Sequence, residues 1–372
     1  MNEAIVVNLF LWLRVFLVGG IFIMFPRITR KGLFFGVYMG EEFAKGEAAR
    51  AVIRAWDRGC GMVMASALLI GLIGTAAGNP VAGNLTGTAV LLLALTGLYF
   101  RSYSRVKAMG QPYVQRQAAR ATATLQAGNP KGETFAKVTL IICVVVALAT
   151  VLYALLSYPS MGDQMPTLWS LIGGAEGTTE ITYLTVLYVP SWNLVVAPLY
   201  ALLALIISTA KRSLREGPGS RSAEAQDAFR GLTSKIFSGG ALLFSVLLTM
   251  FSFQVVQIAL GEATSLGVEM LWPMGAIIAG GLGSLVVMIR RFGQGGSLLE
   301  KGPSEGPLTG GLADNAHWIG GVIYFNRDDP SLMVENRFGI GYTMNWGNVT
   351  SVLFTAFFWA LILTLIILGF FL

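Results

Sequence analysis

Eight stretches of about twenty apolar residues, at 4–25, 59–78, 82–100, 138–157, 190–210, 236–260, 270–289 and 350–371, divide this chain, and its basic residues sort by the side of those stretches on which they fall. If the chain threads a bilayer at each stretch, its connecting segments lie alternately on two sides. Segments 26–58 and 101–137 hold seven Lys/Arg each, 211–235 holds six and 290–349 holds five, which makes 25 of the 26 in the chain. The last, Arg14, lies inside the first stretch, so the alternate segments hold none. Short basic loops stay on the cytoplasmic side, and a helix of about twenty residues matches the roughly 30 Å hydrocarbon core. The expected fold is an all-α integral membrane protein with about eight transmembrane helices, cytoplasmic basic loops and both termini extracytoplasmic.

Composition excludes the main competing classes. Hydrophobic residues make up 54% and charged residues 12%, with a mean hydropathy of +0.66, whereas a soluble domain is about a quarter charged. The sequence pI of about 9.4 follows from the loop bases and implies the lipid bilayer as first partner. Nucleic acid is not expected, because no basic patch interleaved with aromatics accompanies those bases. The start Met1-Asn2-Glu3 has no positive n-region and reads as a retained first helix. Cys60 and Cys143 lie near the cytoplasmic ends of the second and fourth spans, where thiols stay reduced, so neither a disulfide nor a metal site is expected.

The chain is organised as a seven-helix membrane region over 1–289, a Gly/Pro/Ser-rich cytoplasmic linker over 290–312, a small β-hairpin-like cytoplasmic element over 313–349 and a last transmembrane helix over 350–372. Segment 158–189 is the one long outer loop. It carries Asp163, Glu176 and Glu180 and no base, a weakly acidic surface for a cationic partner. In 26–58, charges at helical spacing predict an amphipathic interfacial helix leading into the second span. Small residues form expected packing seams at Ala67, Gly71 and Thr75 and at Gly275, Ala279, Gly280 and Ser284.

Chemistry-bearing constellations are sparse. Arg14 sits mid-span, where a basic side chain costs roughly 2.5–3.5 kcal/mol unless it pairs or snorkels. The partners considered for it are Asn193, Gln254 and Gln257, as an intramembrane polar cluster, or the outer-end acids Glu262 and Glu269. With a single histidine, His317, a zinc-protease motif, a Ser-His-Asp triad and multi-imidazole haem ligation are not supported. Asp328-Asp329 beside Asn326 reads as a turn whose carboxylates cap backbone N–H groups rather than as a cation site. The chain is accordingly expected to be non-enzymatic, with no cofactor and no metal.

Three stretches resemble the sporulation-delaying-toxin immunity proteins and the larger group of uncharacterised-domain bacterial membrane proteins around them. In the outer loop these are Tyr158-Pro159-Ser160, Met165 to Trp169 and Gly173 to Gly177 with Thr179. In the first cytoplasmic loop they are Phe35-Gly36-Val37 and Glu41-Glu42-Phe43. Near the C-terminus they are His317-Trp318, Tyr324-Phe325-Asn326, Asp328-Asp329-Pro330, Arg337-Phe338-Gly339 and Gly341 to Asn345, which look like an accessory domain carried by many relatives. The chain departs from the family pattern at Leu168, where the family has histidine, at Glu176, where Asp is usual, and around Ile181, where a basic residue is replaced by a neutral run.

The resemblance implies a multi-pass protein of the bacterial plasma (inner) membrane with a receptor or immunity-like role, engaging a peptide or envelope signal outside and a protein partner in the cytoplasm. The expected outer recognition surface is Asp163, Pro166, Trp169, Glu176 and Glu180. The expected cytoplasmic partner element is His317, Trp318, Tyr324, Asn326, Asp328, Asp329, Arg337, Tyr342 and Asn345. Two alternatives stay open: an accessory structural subunit of a larger membrane complex, and a transporter using the polar residues around Arg14.

Overall fold

Long apolar stretches favour helix because a helix satisfies each backbone N–H and C=O within its own segment. The computed structural model describes residues 3–109, 132–167, 177–212, 222–300 and 315–369. The long helices are α1 (Glu3–Ile28), α3 (Glu47–Ala76), α4 (Pro80–Ala108), α5 (Glu133–Ser157), α6 (Tyr183–Ser208), α7 (Ser222–Ala259), α8 (Leu271–Val287) and α9 (Val349–Gly369), with a short α2 (Glu41–Lys45) before α3. Among the described residues eight helical segments are long and apolar enough to cross a membrane. Helices α4 and α7 run past their apolar stretches into the basic loops, and α7, at 38 residues, is about 57 Å long.

The radial pattern is inverted relative to a soluble bundle. On α5 the buried stripe is Ala136, Thr139, Cys143, Ala147, Thr150 and Ala154, while Ile141, Val145, Leu152 and Leu156 are exposed. Small residues let backbones approach, which drives helix contact where apolar burial gives no advantage. The seam read from Ala67, Gly71 and Thr75 is used in this way: a Cβ on Gly87 of α4 would lie 2.7 Å from the Ala67 carbonyl oxygen, and Thr75 accepts a hydrogen bond from Asn8 of α1 at 2.8 Å. On α8, Gly275 of the expected seam and the nearby Gly281 face no neighbour within 4 Å, while a Cβ on Gly280 of the seam would lie 3.8 Å from Leu243 of α7. Close packing groups α1 with α3 and α4, and α5 with α6 and α7; α8 lies against α7, and α9 against α6.

Among the described residues, four antiparallel two-stranded sheets lie at the ends of the helices. At the end opposite the basic loops, β3 (Gln164–Pro166) pairs with β4 (Thr178–Glu180). At the basic-loop end, β1 (Leu33–Phe34) pairs with β2 (Val37–Tyr38), β5 (Trp318–Ile319) with β6 (Ile323–Tyr324), and β7 (Met333–Glu335) with β8 (Tyr342–Met344). The helix expected from the charges of this loop, Glu41 to Asp57, is present as α2 and the start of α3, leading into the second apolar stretch, and a hairpin precedes it. Phe35 and Gly36, with φ of 43° and 78°, form a two-residue hairpin loop of the kind that requires positive φ, so helix resumes only at α2. The C-terminal element is likewise two hairpins rather than one, joined by a bridge between Tyr324 and Asn345. The first part of the glycine-rich segment after α8 is packed rather than extended, with Gln294 fully buried in a tight turn.

Candidate functional site

The densest set of buried polar side chains lies at the basic-loop end, where the β5–β8 module meets the helix ends. Arg30, just beyond α1, is completely buried; its Nη1 donates to Oε2 of Glu335 on β7 at 2.9 Å, and its Nη2 donates to Glu300. Gln226, in the first turns of α7, donates to the same Glu335 oxygen at 3.0 Å. Arg337 donates to the Gly36 carbonyl at 3.1 Å and to Asn315 Oδ1 at 2.5 Å, and its guanidinium lies 4.8 Å from the Trp318 ring centre. Asn315 Oδ1 also accepts from the Tyr38 N–H at 3.1 Å. The module is thereby tied to the β1–β2 hairpin on one side and to α7 on the other. Charges this deeply buried persist only where partners replace their hydration.

Further ties reinforce the attachment. Lys211, just past α6, donates to Asp329 Oδ2 at 2.6 Å, and the Tyr324 hydroxyl donates to the same oxygen at 2.8 Å. Burial disfavours the Asp329 carboxylate, yet the Lys211 ammonium and the Ser331 N–H outweigh it and hold its pKa below the ordinary value. Gln294 donates through Nε2 to the carbonyls of Asn336 and Gly341, both at 3.0 Å, and its Oε1 accepts from the Gly341 N–H at 2.7 Å. Burial, with Glu335 nearby, raises the Tyr342 phenol well above its usual range.

The residues expected to meet a cytoplasmic partner are therefore mostly turned inward. Trp318, Tyr324, Asp329, Arg337 and Asn345 are buried against their own chain. Asn345 donates to the carbonyls of Asn326 and Asp329, both at 2.9 Å. Asp328 is exposed, its N–H bound by Asn326 Oδ1 at 2.9 Å, and His317 lies half-buried beside Tyr324. The Asp-Asp-Pro segment is a turn, with Asp329 Oδ1 accepting from the Ser331 N–H at 3.0 Å. Arg30, Gln226, Gln294, Glu300 and Glu335 carry the attachment without having been singled out in the sequence. Their spacing carries no motif, because they come from four separate segments, with only Gln294 and Glu300 sharing one.

At the opposite end, the β3–β4 hairpin is seated on helix ends. Met165 is buried among Val189, Val255, Ile258 and Ala259, and the Gly162 N–H donates to the Ala259 carbonyl at 3.0 Å. Asp163 and Glu180 are exposed and lie at the same end of the hairpin, since Gln164 pairs with Glu180. Pro166 lies in β3 opposite Thr178. Trp169, Glu176 and Leu168 lie outside the described residues.

The polar cluster expected around Arg14 is divided by the helix packing. Because α1 lies on α3 and α4, Arg14 donates to Asn84 of α4. Asn193 donates instead to Thr249 at 2.9 Å. Gln254 donates to Glu269 at 2.5 Å and accepts from the Gly267 N–H at 3.0 Å, fixing the turn into α8, while Gln257 serves that turn through its carbonyl, which accepts from the Glu262 N–H at 2.9 Å.

The model of a family of unknown function, DUF5808, matches residues 327–352. That stretch contains Asp329, Glu335, Arg337 and Asn345, so the similarity falls on the residues that close the module and attach it. No curated protein and no solved structure matches the chain.

Proposed function

We propose that this chain is a non-enzymatic, multi-pass protein of a bacterial plasma membrane, receptor-like or immunity-like, whose acidic outer hairpin engages a cationic peptide or envelope signal and whose basic-end module lies in the cytoplasm. The positive-inside distribution of Lys/Arg supports that orientation. The observation that carries the reading is the course of α7. Its last turns hold the β3–β4 hairpin through Ala259 and Val255, and its first turns hold the module through Gln226. Helix α6 follows the same course, with Val189 under the hairpin and Lys211 beyond its other end on Asp329. A ligand that shifts the hairpin displaces two continuous helices, and their far ends bear on a module with buried ionic ties. A coupling of this type requires contacts that differ between two states at both ends, and the contacts of α6 and α7 at each end are where such a difference would arise.

The test is susceptibility of a sensitive host to cationic peptides, with the chain expressed intact, as Asp163→Asn/Glu180→Gln, and as Trp169→Ala. Protection by the intact chain that falls in the charge-neutralised variant supports the reading. Equal susceptibility with and without the chain refutes it. A second reading, an accessory subunit of a larger membrane complex, is favoured by the open glycines Gly275 and Gly281 on α8 and by the mostly exposed α9, where only Ser351 and Leu365 are buried. Purification in mild detergent separates the two, because a stoichiometric large complex supports the subunit.

A further inference from the structure

The β5–β6 hairpin has its faces assigned in an unusual way. Trp318 and Tyr324 form one cross-strand pair and turn into the module, at 5% and 1% exposure. Ile319 and Ile323 form the next pair on the other face, and Phe325 follows two residues later on that same face; these are 58%, 42% and 38% exposed. An antiparallel sheet with one wet face alternates apolar with polar residues, so an outward face made of two isoleucines and a phenylalanine is not built for water.

Its surroundings identify what covers it. The hairpin loop abuts the basic end of α4, where a Cβ on Gly320 would lie 2.9 Å from the Phe100 ring and one on Gly321 3.0 Å from Tyr103. Phe100 is itself an exposed residue on a helix long and apolar enough to cross a membrane, so the tip of the hairpin sits beside an exposed apolar helix surface. Trp346, 41% exposed, is held beside the same strand by its N–H bond to the Tyr324 carbonyl at 2.9 Å. Basic groups frame the patch: Arg327 stacks 5.7 Å from the Phe325 ring centre, Lys107 lies 5.7 Å from that of Tyr103, and Arg101 and Arg105 are exposed on α4. Aromatic rings at the end of an apolar helix with Lys and Arg at their edge are the chemistry of a headgroup layer, where rings take the acyl boundary and cations meet anionic lipid.

We infer that the Ile319, Ile323 and Phe325 face of the β5–β6 hairpin is a membrane-seated surface, embedded at the headgroup–acyl boundary of the leaflet on the basic-loop side and recognising anionic lipid. The module is then held twice, by buried ion pairs to the helix ends and by lipid beneath its outer face. This inference goes beyond the proposed receptor role and does not depend on a ligand at the opposite end.

The test places an environment-sensitive fluorophore at Ile319→Cys or Ile323→Cys, with Asp328→Cys in the exposed turn as the comparison. The native Cys60 and Cys143 are both buried, which keeps background labelling low. The protein is reconstituted in phosphatidylcholine vesicles with and without phosphatidylglycerol. The expected result is several-fold stronger quenching at 319 and 323 than at 328 by lipids bearing a nitroxide near the headgroup, with protection from aqueous iodide that increases with phosphatidylglycerol. Equal iodide quenching at all three positions overturns the inference. So does a face accessible to iodide in vesicles of pure lipid but protected in native membranes, because that outcome assigns the cover to a protein.

Discussion

Glu335 should be the most costly single carboxylate to remove from the basic-end module. It is 2% exposed and accepts from both Arg30, which is wholly buried, and Gln226. Glu335→Leu leaves a buried guanidinium with one of its two paired carboxylates, Glu300, and deprives Gln226 of an acceptor. Breaking a buried ion pair from one side costs about 3–5 kcal/mol. The retained Glu300 contact argues for the low end, about 3 kcal/mol. The readout is hydrogen exchange in detergent micelles at the module's own bonded amides, Asn336 N–H to the Gly341 carbonyl and Asn345 N–H to the Leu332 carbonyl. At a factor of ten per 1.4 kcal/mol, their exchange should accelerate by about two orders of magnitude. Arg30→Met/Glu335→Leu removes both buried charges and leaves Glu300, which is 13% exposed, able to hydrate. The double variant should therefore be less destabilised than the sum of the singles by about 2 kcal/mol. By contrast, Glu42→Ala breaks a pair whose side chains are 72% and 87% exposed and should leave exchange unchanged. Exchange that is unaltered in Glu335→Leu, or costs that simply add in the double variant, would refute the claim that this pair fastens the module.

Gly36→Ala should destabilise the attachment through the backbone, because φ at Gly36 is 78° and a Cβ there would collide with the backbone of Gly321. A loss of at least about 1–2 kcal/mol is expected, read as a lowered Tm in detergent. The Lys211–Asp329 tie should depend on acid in a defined direction. The folded-state pKa of Asp329 is depressed below its ordinary 3.8, so the carboxylate's contribution is complete above that value and is lost as pH falls from there through the folded-state pKa. The Tm gap between the native chain and Asp329→Asn should hold constant down to that ordinary value and close below it. A gap that closes well above it would show that another group controls the tie.

The helices were legible because their signal is redundant. Twenty apolar residues and an alternating distribution of bases mark each span independently, and the small residues at Ala67, Gly71 and Thr75 indicated where α3 meets its neighbours. The start of α7 was less legible, since it lies in charged sequence where hydropathy no longer marks a helix. The hairpins were partly legible. The glycines of Phe35-Gly36 and Gly320-Gly321 are the turn chemistry a hairpin requires, but strands of two residues carry no alternation to reveal them. The buried attachment was not legible at all. Arg30 and Glu335 are 305 residues apart, and in the sequence both are ordinary loop charges. Arg14 had the opposite difficulty: its need for a partner was evident, but choosing Asn84 over Asn193 required knowing that α1 packs on α3 and α4.

The two helix groups also differ in what can specify their arrangement. Inside each, close backbone approach at Gly83 and Gly87 in one group and buried small residues such as Ala147 and Ala197 in the other give contacts that lipid cannot replace. Between the groups a bilayer offers no such preference, because lipid tails solvate an apolar helix face as well as another helix does. Where helix ends leave a bilayer and meet water, directional interactions become selective. At the basic-loop end Glu335 accepts from Arg30, at the end of α1, and from Gln226, at the start of α7, so one carboxylate joins the group containing α1 to the group containing α7. Substituting it should loosen the relative placement of the two groups without melting either one, since their internal packing uses none of these charges. Crosslinking between cysteines placed on α1 and α7 near that end would register the change as a broadened range of distances, while the helical content measured by circular dichroism stays constant.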